Sequence, residues 1–260
     1  MLIGWIAFFA MGIVLGLIGG GGSILTVPIL VYLFGQNAHA ATGASLFIVG
    51  AVAMIGAFTA FLKKEIKFKE SLPFALPSIV GVLLARTYLL PLLPDPIFRS
   101  DTLTLSKDVL LLTLFAFLML MASYKMIRTT AIAPLRQTAP WPQVSVQGFF
   151  IGAITGFIGA GGGFLIVPAL VFLLGYNLKQ AIGTSLLVIA LNSFVGCFAD
   201  VLQGEPKPWP LLLTAAGIAI VGLFVGRRFT PYFSEKSLKK VFGWFVLVLG
   251  SAILLAQAFK

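Results

Sequence analysis

Two glycine-rich stretches are the feature of this sequence most suited to binding chemistry. "GLIGGGGSILTVP" occupies residues 16–28, and "GFIGAGGGFLIVP" occupies residues 156–168. A helix that begins directly after such a run presents unpaired backbone N–H groups and the positive end of its dipole. Such a start suits an anion, and glycine lets a ligand approach the backbone closely. A nucleotide P-loop is a weak alternative, because no Lys-Ser or Lys-Thr follows the glycines.

Side chains near these stretches supply further donors for an anion. Hydroxyl groups lie near the starts of two apolar segments, an amide lies in the middle of one, and Arg86 lies inside another, where an ionised group needs a partner or a cavity. A planar guanidinium matches a pair of oxyanion oxygens. The candidate binding residues are Gly20, Gly21, Gly22, Ser23, Ser45, Arg86, Gly161, Gly162, Gly163, Thr184, Ser185 and Asn192.

Structural roles compete with binding at several of these positions. Serine and threonine in membrane helices often bond a backbone carbonyl or join two helices, and Asn192 can equally well bond a neighbouring helix. Arg86 can line the path or extend to the membrane interface. Glycines at four-residue spacing, such as Gly12 and Gly16, are usually explained by close helix packing. His39 and Lys179 are either vestibule cations or solvated surface residues.

The composition predicts an integral, all-α membrane protein. Apolar residues make up 59% of the 260 residues and charged residues only 10%. The formal net charge is +10, but the basic residues lie in short loops, which fits membrane topology better than nucleic-acid binding. With one histidine and one cysteine, we expect no metal centre, no cofactor and no enzyme active site.

The chain contains an internal repeat. A shift of 140 positions aligns residues 12–58 with 152–198 without a gap, and 20 of the 47 pairs are identical. Many of the identical residues are glycine, proline, asparagine or serine, which shape the backbone or form hydrogen bonds. A particular geometry was therefore duplicated, and not only hydrophobicity.

Each half resolves into five apolar segments, so we divide the chain into a first repeat at 1–128, a cytoplasmic linker at 129–143 and a second repeat at 144–260. The pieces that follow the glycines, roughly 23–35 and 163–175, are shorter than the ~20 residues that a crossing helix needs. We therefore expect each half to contain a glycine-broken, re-entrant helix hairpin, with the two short helices facing one another near the midplane.

The basic loops predict that the repeats are inverted. Twelve Lys and Arg residues lie in loops assigned to the cytoplasmic side, against three in the opposite loops. The loop after the third segment is then inside in the first half and outside in the second. Both chain ends are predicted to lie outside the cytoplasm.

Acidic residues are assigned to loops, with Asp200 in the outer loop "DVLQGEPK". No carboxylate then falls within a crossing segment, which argues against proton coupling through an acidic side chain. An anion carrier driven outward by the inside-negative potential is physically sufficient.

The paired glycine stretches, each followed by Val-Pro, and the paired "TGAS" (42–45) and "IGTS" (182–185) resemble the sulfite exporter TauE/SafE family, also called the 4-toluene sulfonate uptake permease family. The resemblance implies a multi-pass carrier of the bacterial inner membrane for sulfur-containing anions such as sulfite, sulfoacetate or other organosulfonates. The solute, the direction, the coupling ion and the oligomeric state stay open. Alternating access around a midplane site is the first hypothesis, and an anion channel on the same site is the alternative.

Overall fold

The computed structural model describes residues 2–94, 98–99, 104–128, 139–159, 161–204, 207–232 and 235–258. Within these ranges the chain forms ten helical stretches and one small antiparallel pair of strands, β1 (Phe98–Arg99) and β2 (Thr104–Leu105). The helices are α1 (Leu2–Ile18), α2 (Gly20–Leu33), α3 (Ala38–Leu62), α4 (Phe68–Leu92), α5 (Lys107–Arg128), α6 (Trp141–Ile158), α7 (Gly163–Leu174), α8 (Leu178–Leu202), α9 (Trp209–Phe229) and α10 (Glu235–Ala258). Residues 129–138 of the linker and Ala160 lie outside the described residues.

The fold is that of a helical, multi-pass membrane protein. Among the described residues, α3, α4, α8 and α9 are long and apolar enough to cross a membrane. Large apolar side chains such as Phe58, Leu92 and Phe198 are exposed on the outer surface, where they suit contact with lipid. The second half begins its first helix at Trp141, three residues before the predicted boundary at 144.

Both glycine stretches interrupt the helical backbone, as predicted. After α1, Gly19 has a φ of 78°, and after α6, Gly159 has a φ of 74°. Gly161 and Gly162, with φ values of 62° and 71°, continue the second break up to Gly163. These left-handed conformations favour glycine over any residue with a Cβ.

The short helices differ in how they begin. α7 starts at Gly163, whereas α2 starts at Gly20 with a tight 3₁₀ turn over Gly20–Leu25 and ends in a π-helical turn over Ile29–Leu33. The expectation that α2 begins near Ser23 is therefore wrong by three residues. The glycines fold into the helix because Gly22 packs directly on α1, where a Cβ would lie 2.6 Å from the Leu15 nitrogen.

The closest helix contacts join the two halves of the chain. α1 packs along α9, α4 along α6, α3 along α8, and α5 along α10. The glycines at four-residue spacing make this possible: a Cβ on Gly12 would overlap the backbone of Ala219, and a Cβ on Gly152 would overlap that of Ser78. Close packing is therefore confirmed as the role of Gly12 and Gly152.

The order of these contacts gives the relative directions of the helices. Phe74, Ser78 and Val82 of α4 meet Gly148, Gly152 and Gly156 of α6 in the same order, so these two helices are parallel. Along α3 and α8 the order is reversed, because Leu46 meets Gly196, Gly50 meets Ser193, Gly56 meets Leu186 and Ala60 meets Gly183. α3 and α8 are therefore antiparallel.

Candidate functional site

The two glycine breaks meet in the interior of the protein. A Cβ on Gly20 would overlap the backbone of Gly163, and a Cβ on Gly163 would overlap that of Gly20. The starts of α2 and α7 are therefore in direct backbone contact. Each break also packs against a helix of the opposite half: Gly19 contacts Ile182 of α8, and Gly159 contacts Thr42 of α3. Two helix starts, each with its positive dipole end, lie side by side.

The candidate glycines of the second break have different neighbours. A Cβ on Gly161 would lie 2.6 Å from Val49 Cγ1 and 3.1 Å from the Ser193 hydroxyl oxygen, whereas Gly162 packs against the side chain of Thr155. In the first break, Gly20, Gly21 and Gly22 are all buried. Ser193 follows the candidate Asn192 and lies opposite Ala53 of the first repeat, and this difference between the repeats is the signal that the sequence offers for a polar group at this position.

Three buried hydroxyl groups have no hydrogen-bond partner in the described structure. They belong to Thr26, Ser45 and Ser193, whose residues are 0% exposed. A buried polar group without a partner costs about 1–3 kcal/mol, so such groups call for an explanation such as a bound solute or water. All three side chains lie on α2, α3 and α8, the helices that meet at the glycine breaks.

Two other candidate hydroxyls already donate their hydrogen. Ser23 Oγ donates to the Gly20 carbonyl at 2.7 Å, and Ser185 Oγ donates to the Ile182 carbonyl at 2.9 Å. Each hydroxyl has one hydrogen, so neither can donate to a solute in this arrangement. Ser45 and Ser185 are equivalent in the repeat, yet only Ser45 has no partner.

The remaining polar candidates connect different helices. Thr184 Oγ1 accepts from the backbone N–H of Lys67 at 3.1 Å and so fixes the loop before α4. Asn192 Nδ2 donates to Ser78 Oγ at 2.7 Å, which confirms an interhelical hydrogen bond, while Asn192 Oδ1 has no partner. Asn192 is 1% exposed. The carboxamide oxygen therefore adds a fourth unpaired polar group to this interior.

Arg86 is buried in an ion network at one end of α8. Its Nε donates to the Gly156 carbonyl at 2.7 Å, and its Nη1 contacts both Asp200 carboxylate oxygens at 3.2 and 3.3 Å. Lys207 Nζ donates to Asp200 Oδ2 at 3.1 Å. Arg86 Nη2 has no partner, and the residue is 1% exposed. Arg86 thus does not extend to an interface.

The assignment of Asp200 to a loop is wrong. Asp200 lies within α8, in a segment able to cross a membrane, and is 2% exposed. The helix continues to Leu202, and two cations offset the cost of burying the carboxylate. The prediction that crossing segments hold no carboxylate fails with it.

With a one-residue shift from the 140-position offset, "GVLLAR" (81–86) matches "GLFVGR" (222–227) and gives Arg86 a counterpart in Arg227, near the end of α9. Its Nη1 is buried without a partner, and its backbone nitrogen lies 3.0 Å from a Cβ built on Gly16. The position equivalent to Asp200 is Ala60. His39 and Lys179 lie in the first turns of α3 and α8, and the backbone N–H of His39 donates to Asp108 Oδ1 at 3.0 Å.

Metal coordination has little support in the described part of the chain, where no group of three or more His, Cys, Asp or Glu side chains could hold an ion. The interior contacts instead offer N–H groups, hydroxyls and a guanidinium, which are donors to anions.

Comparison with known proteins identifies relatives along the whole chain. The family model described as sulfite exporter TauE/SafE matches residues 4–253. Two probable membrane transporter proteins of Xylella fastidiosa, from strains 9a5c and Temecula1, are 32% and 36% identical and cover 92% of this chain and 89% of their own lengths. The probable membrane transporter protein YdhB of Bacillus subtilis is 24% identical over 90% of this chain and 92% of its own. No solved structure gives a significant match.

Proposed function

The chain belongs to the TauE/SafE sulfite exporter family, and from this premise we propose that it is a secondary transporter that exports sulfur-containing anions across the bacterial inner membrane. Sulfite, sulfoacetate and other organosulfonates are the proposed solutes. The single observation that carries the proposal is the backbone contact between Gly20 and Gly163. It brings two helix starts together in the protein interior, where their dipoles favour negative charge.

The packing of the halves supports two inverted repeats of five segments. α3 and α8 are equivalent in the repeat and run antiparallel, as helices related by a two-fold axis in the membrane plane would. The same operation exchanges the α1–α9 contact with the α6–α4 contact. The short helices α2 and α7, 14 and 12 residues long, then enter from opposite sides as parts of re-entrant hairpins.

The solute site combines the helix starts with the unpaired donors around them. We assign Ser45 and Ser193 direct contact with the anion, because their hydroxyls are buried and lack partners. The second Nδ2 hydrogen of Asn192 and the backbone N–H groups of Gly161 and Gly163 complete one side, while Asn192 Oδ1, an acceptor, faces away from the anion in this proposal. Glycine is needed here because Gly161 has a positive φ and a Cβ on it would collide with Val49 and lie 3.1 Å from the Ser193 hydroxyl oxygen.

The membrane potential supplies a driving force for export without a second ion. Moving one negative charge outward across 100 mV is favourable by about 2.3 kcal/mol. Each glycine break packs against the third helix of the opposite half. A rocking motion of one half against the other would therefore move both glycine breaks together. This supports alternating access, with both chain ends outside the cytoplasm.

A matched pair of serine variants tests the site. Ser45→Ala and Ser193→Ala remove hydroxyls that have no protein partner, so the unliganded protein should be as stable as the wild type or more stable. Ser185→Ala is the control, because that hydroxyl bonds to Ile182. With sulfite or sulfoacetate titrated into purified protein, we expect Ser45→Ala and Ser193→Ala to weaken binding by about tenfold, which corresponds to one hydrogen bond to a charged group.

Flux in liposomes completes the test. Saturable sulfite efflux with counterflow supports a carrier, whereas a non-saturating conductance would point to the channel alternative. Equal anion affinities for the wild type, Ser45→Ala and Ser193→Ala would refute the site assignment.

A further inference from the structure

The ion network around Arg86 suggests a role for Asp200 in transport itself. We propose that Asp200 is a resident counter-anion, which holds the Arg86 guanidinium in the empty protein and is displaced from it by the transported oxyanion. This inference rests on the proposed function, because it requires an anionic solute.

The contact between Arg86 and Asp200 is weaker than the best pair that a guanidinium can form with an oxyanion. Arg86 contacts the carboxylate through Nη1 alone, at 3.2 and 3.3 Å. Charge-assisted hydrogen bonds are usually about 2.7–2.9 Å long, and arginine pairs best through two parallel N–H donors. Nη2 is buried without a partner. An oxyanion that takes Nη1 and Nη2 together would therefore make a better pair than Asp200 does.

Arg86 does not depend on Asp200 for its position. Its Nε is bonded to the Gly156 carbonyl at 2.7 Å, and its own carbonyl accepts from Gln203 Nε2 at 3.1 Å. Both anchors stay in place if the carboxylate leaves. The guanidinium is thus held on α6 through Nε, and the Arg86 backbone is held on the residue that follows α8.

Asp200 likewise keeps a cation after it leaves Arg86. Lys207 Nζ donates to Oδ2 at 3.1 Å, and the Lys207 side chain is only 3% exposed. A buried carboxylate that lost its only cation would pay a large desolvation cost, and Lys207 removes much of that cost. The exchange therefore leaves both charged groups compensated.

The location puts this exchange at one end of the proposed path. Gly156 lies near the end of α6, three residues before Gly159 at the second glycine break, so Arg86 is bonded to the helix end that leads into this break. Arg86 belongs to the first half of the chain and Asp200 to the second. An anion that displaces Asp200 would loosen a contact between the halves at this end, while Ala60 leaves the equivalent position at the other end without an acid.

The sign of one affinity change tests this inference. Asp200→Asn keeps the size of the side chain but removes the competing charge, so sulfite should bind the full-length protein about tenfold more tightly than it binds the wild type. A carboxylate that merely positions Arg86 would give weaker binding instead. Unchanged or weaker binding to Asp200→Asn overturns the proposal.

A second measurement covers the case in which Asp200→Asn does not fold. The infrared difference spectrum of the wild type on addition of sulfite should contain a carboxylate stretching band that moves in Asp200→Glu. The absence of such a band would overturn the proposal. If the wild type bound none of the sulfur anions tested, the proposed function would fail first, and this outcome is distinct from normal binding with no effect at Asp200.

Discussion

Gly163→Ala tests the contact on which the proposed site depends. Gly163 begins α7, and a Cβ on it would overlap the Cα, carbonyl carbon and oxygen of Gly20, which are backbone atoms that cannot rotate away. Overpacking of this kind costs about 1–3 kcal/mol. Alanine would otherwise gain up to about 1 kcal/mol over glycine in a helix interior, so the loss reflects the contact and not helix propensity.

Gly217→Ala is the matched control. Gly217 lies in α9 with open space around it and without a positive φ, so alanine there should leave stability unchanged or raise it by up to about 1 kcal/mol. Gly20→Ala should cost as much as Gly163→Ala, and the double variant should cost less than the sum, because both substitutions separate the same two backbones.

The assay is thermal unfolding of the purified protein in detergent, followed by tryptophan fluorescence, together with sulfite efflux from liposomes. We expect Gly163→Ala to unfold at a lower temperature and to lose efflux, while Gly217→Ala keeps both properties. A Gly163→Ala protein with the stability and flux of the wild type would show that the glycine breaks are not in contact.

Two further substitutions probe the ion network and the repeat. Arg86→Gln leaves Asp200 buried with Lys207 as its remaining cation. We therefore expect the free energy of unfolding to fall by less than the about 3–5 kcal/mol that is typical of a broken buried ion pair. The double variant Arg86→Gln/Asp200→Asn should recover part of this loss, and denaturant titrations that show no recovery would contradict the expectation. Asn37→Ala and Asn177→Ala each remove a side chain that accepts a hydrogen bond from a backbone N–H in the first turn of a long helix. Each substitution should lower the free energy of unfolding by about 1 kcal/mol. Unequal shifts in melting temperature would show that the two caps differ.

Local signals in the sequence were sufficient to predict the segmentation and the breaks. Consecutive glycines disfavour a continuous helix wherever they occur, and here Gly19, Gly159, Gly161 and Gly162 adopt conformations that favour glycine. The short lengths of α2 and α7 followed from the same pattern. The family was recognisable because these backbone-shaping residues recur at fixed spacing in both halves.

Pairing between distant segments was not predictable in the same way. An aspartate at the end of an apolar run is typical of a loop, because its burial is costly unless a partner lies nearby. Asp200 has a cation seven positions away in Lys207, but its other partner, Arg86, is 114 positions away, and nothing local links Asp200 to Arg86. The contact between Ser193 and Gly161 depends on which face of α8 meets the second glycine break, and one sequence does not specify that face.

The way the halves interlock has a consequence for the synthesis of the chain. α1 is made before α9, the helix along which it packs, and α4 is made before its partner α6. Until then the small-residue faces around Gly12 and Gly81 are open to lipid. Insertion and tertiary assembly are therefore separated in time, and a newly made first half must persist in the bilayer as loosely associated spans until the second half completes it.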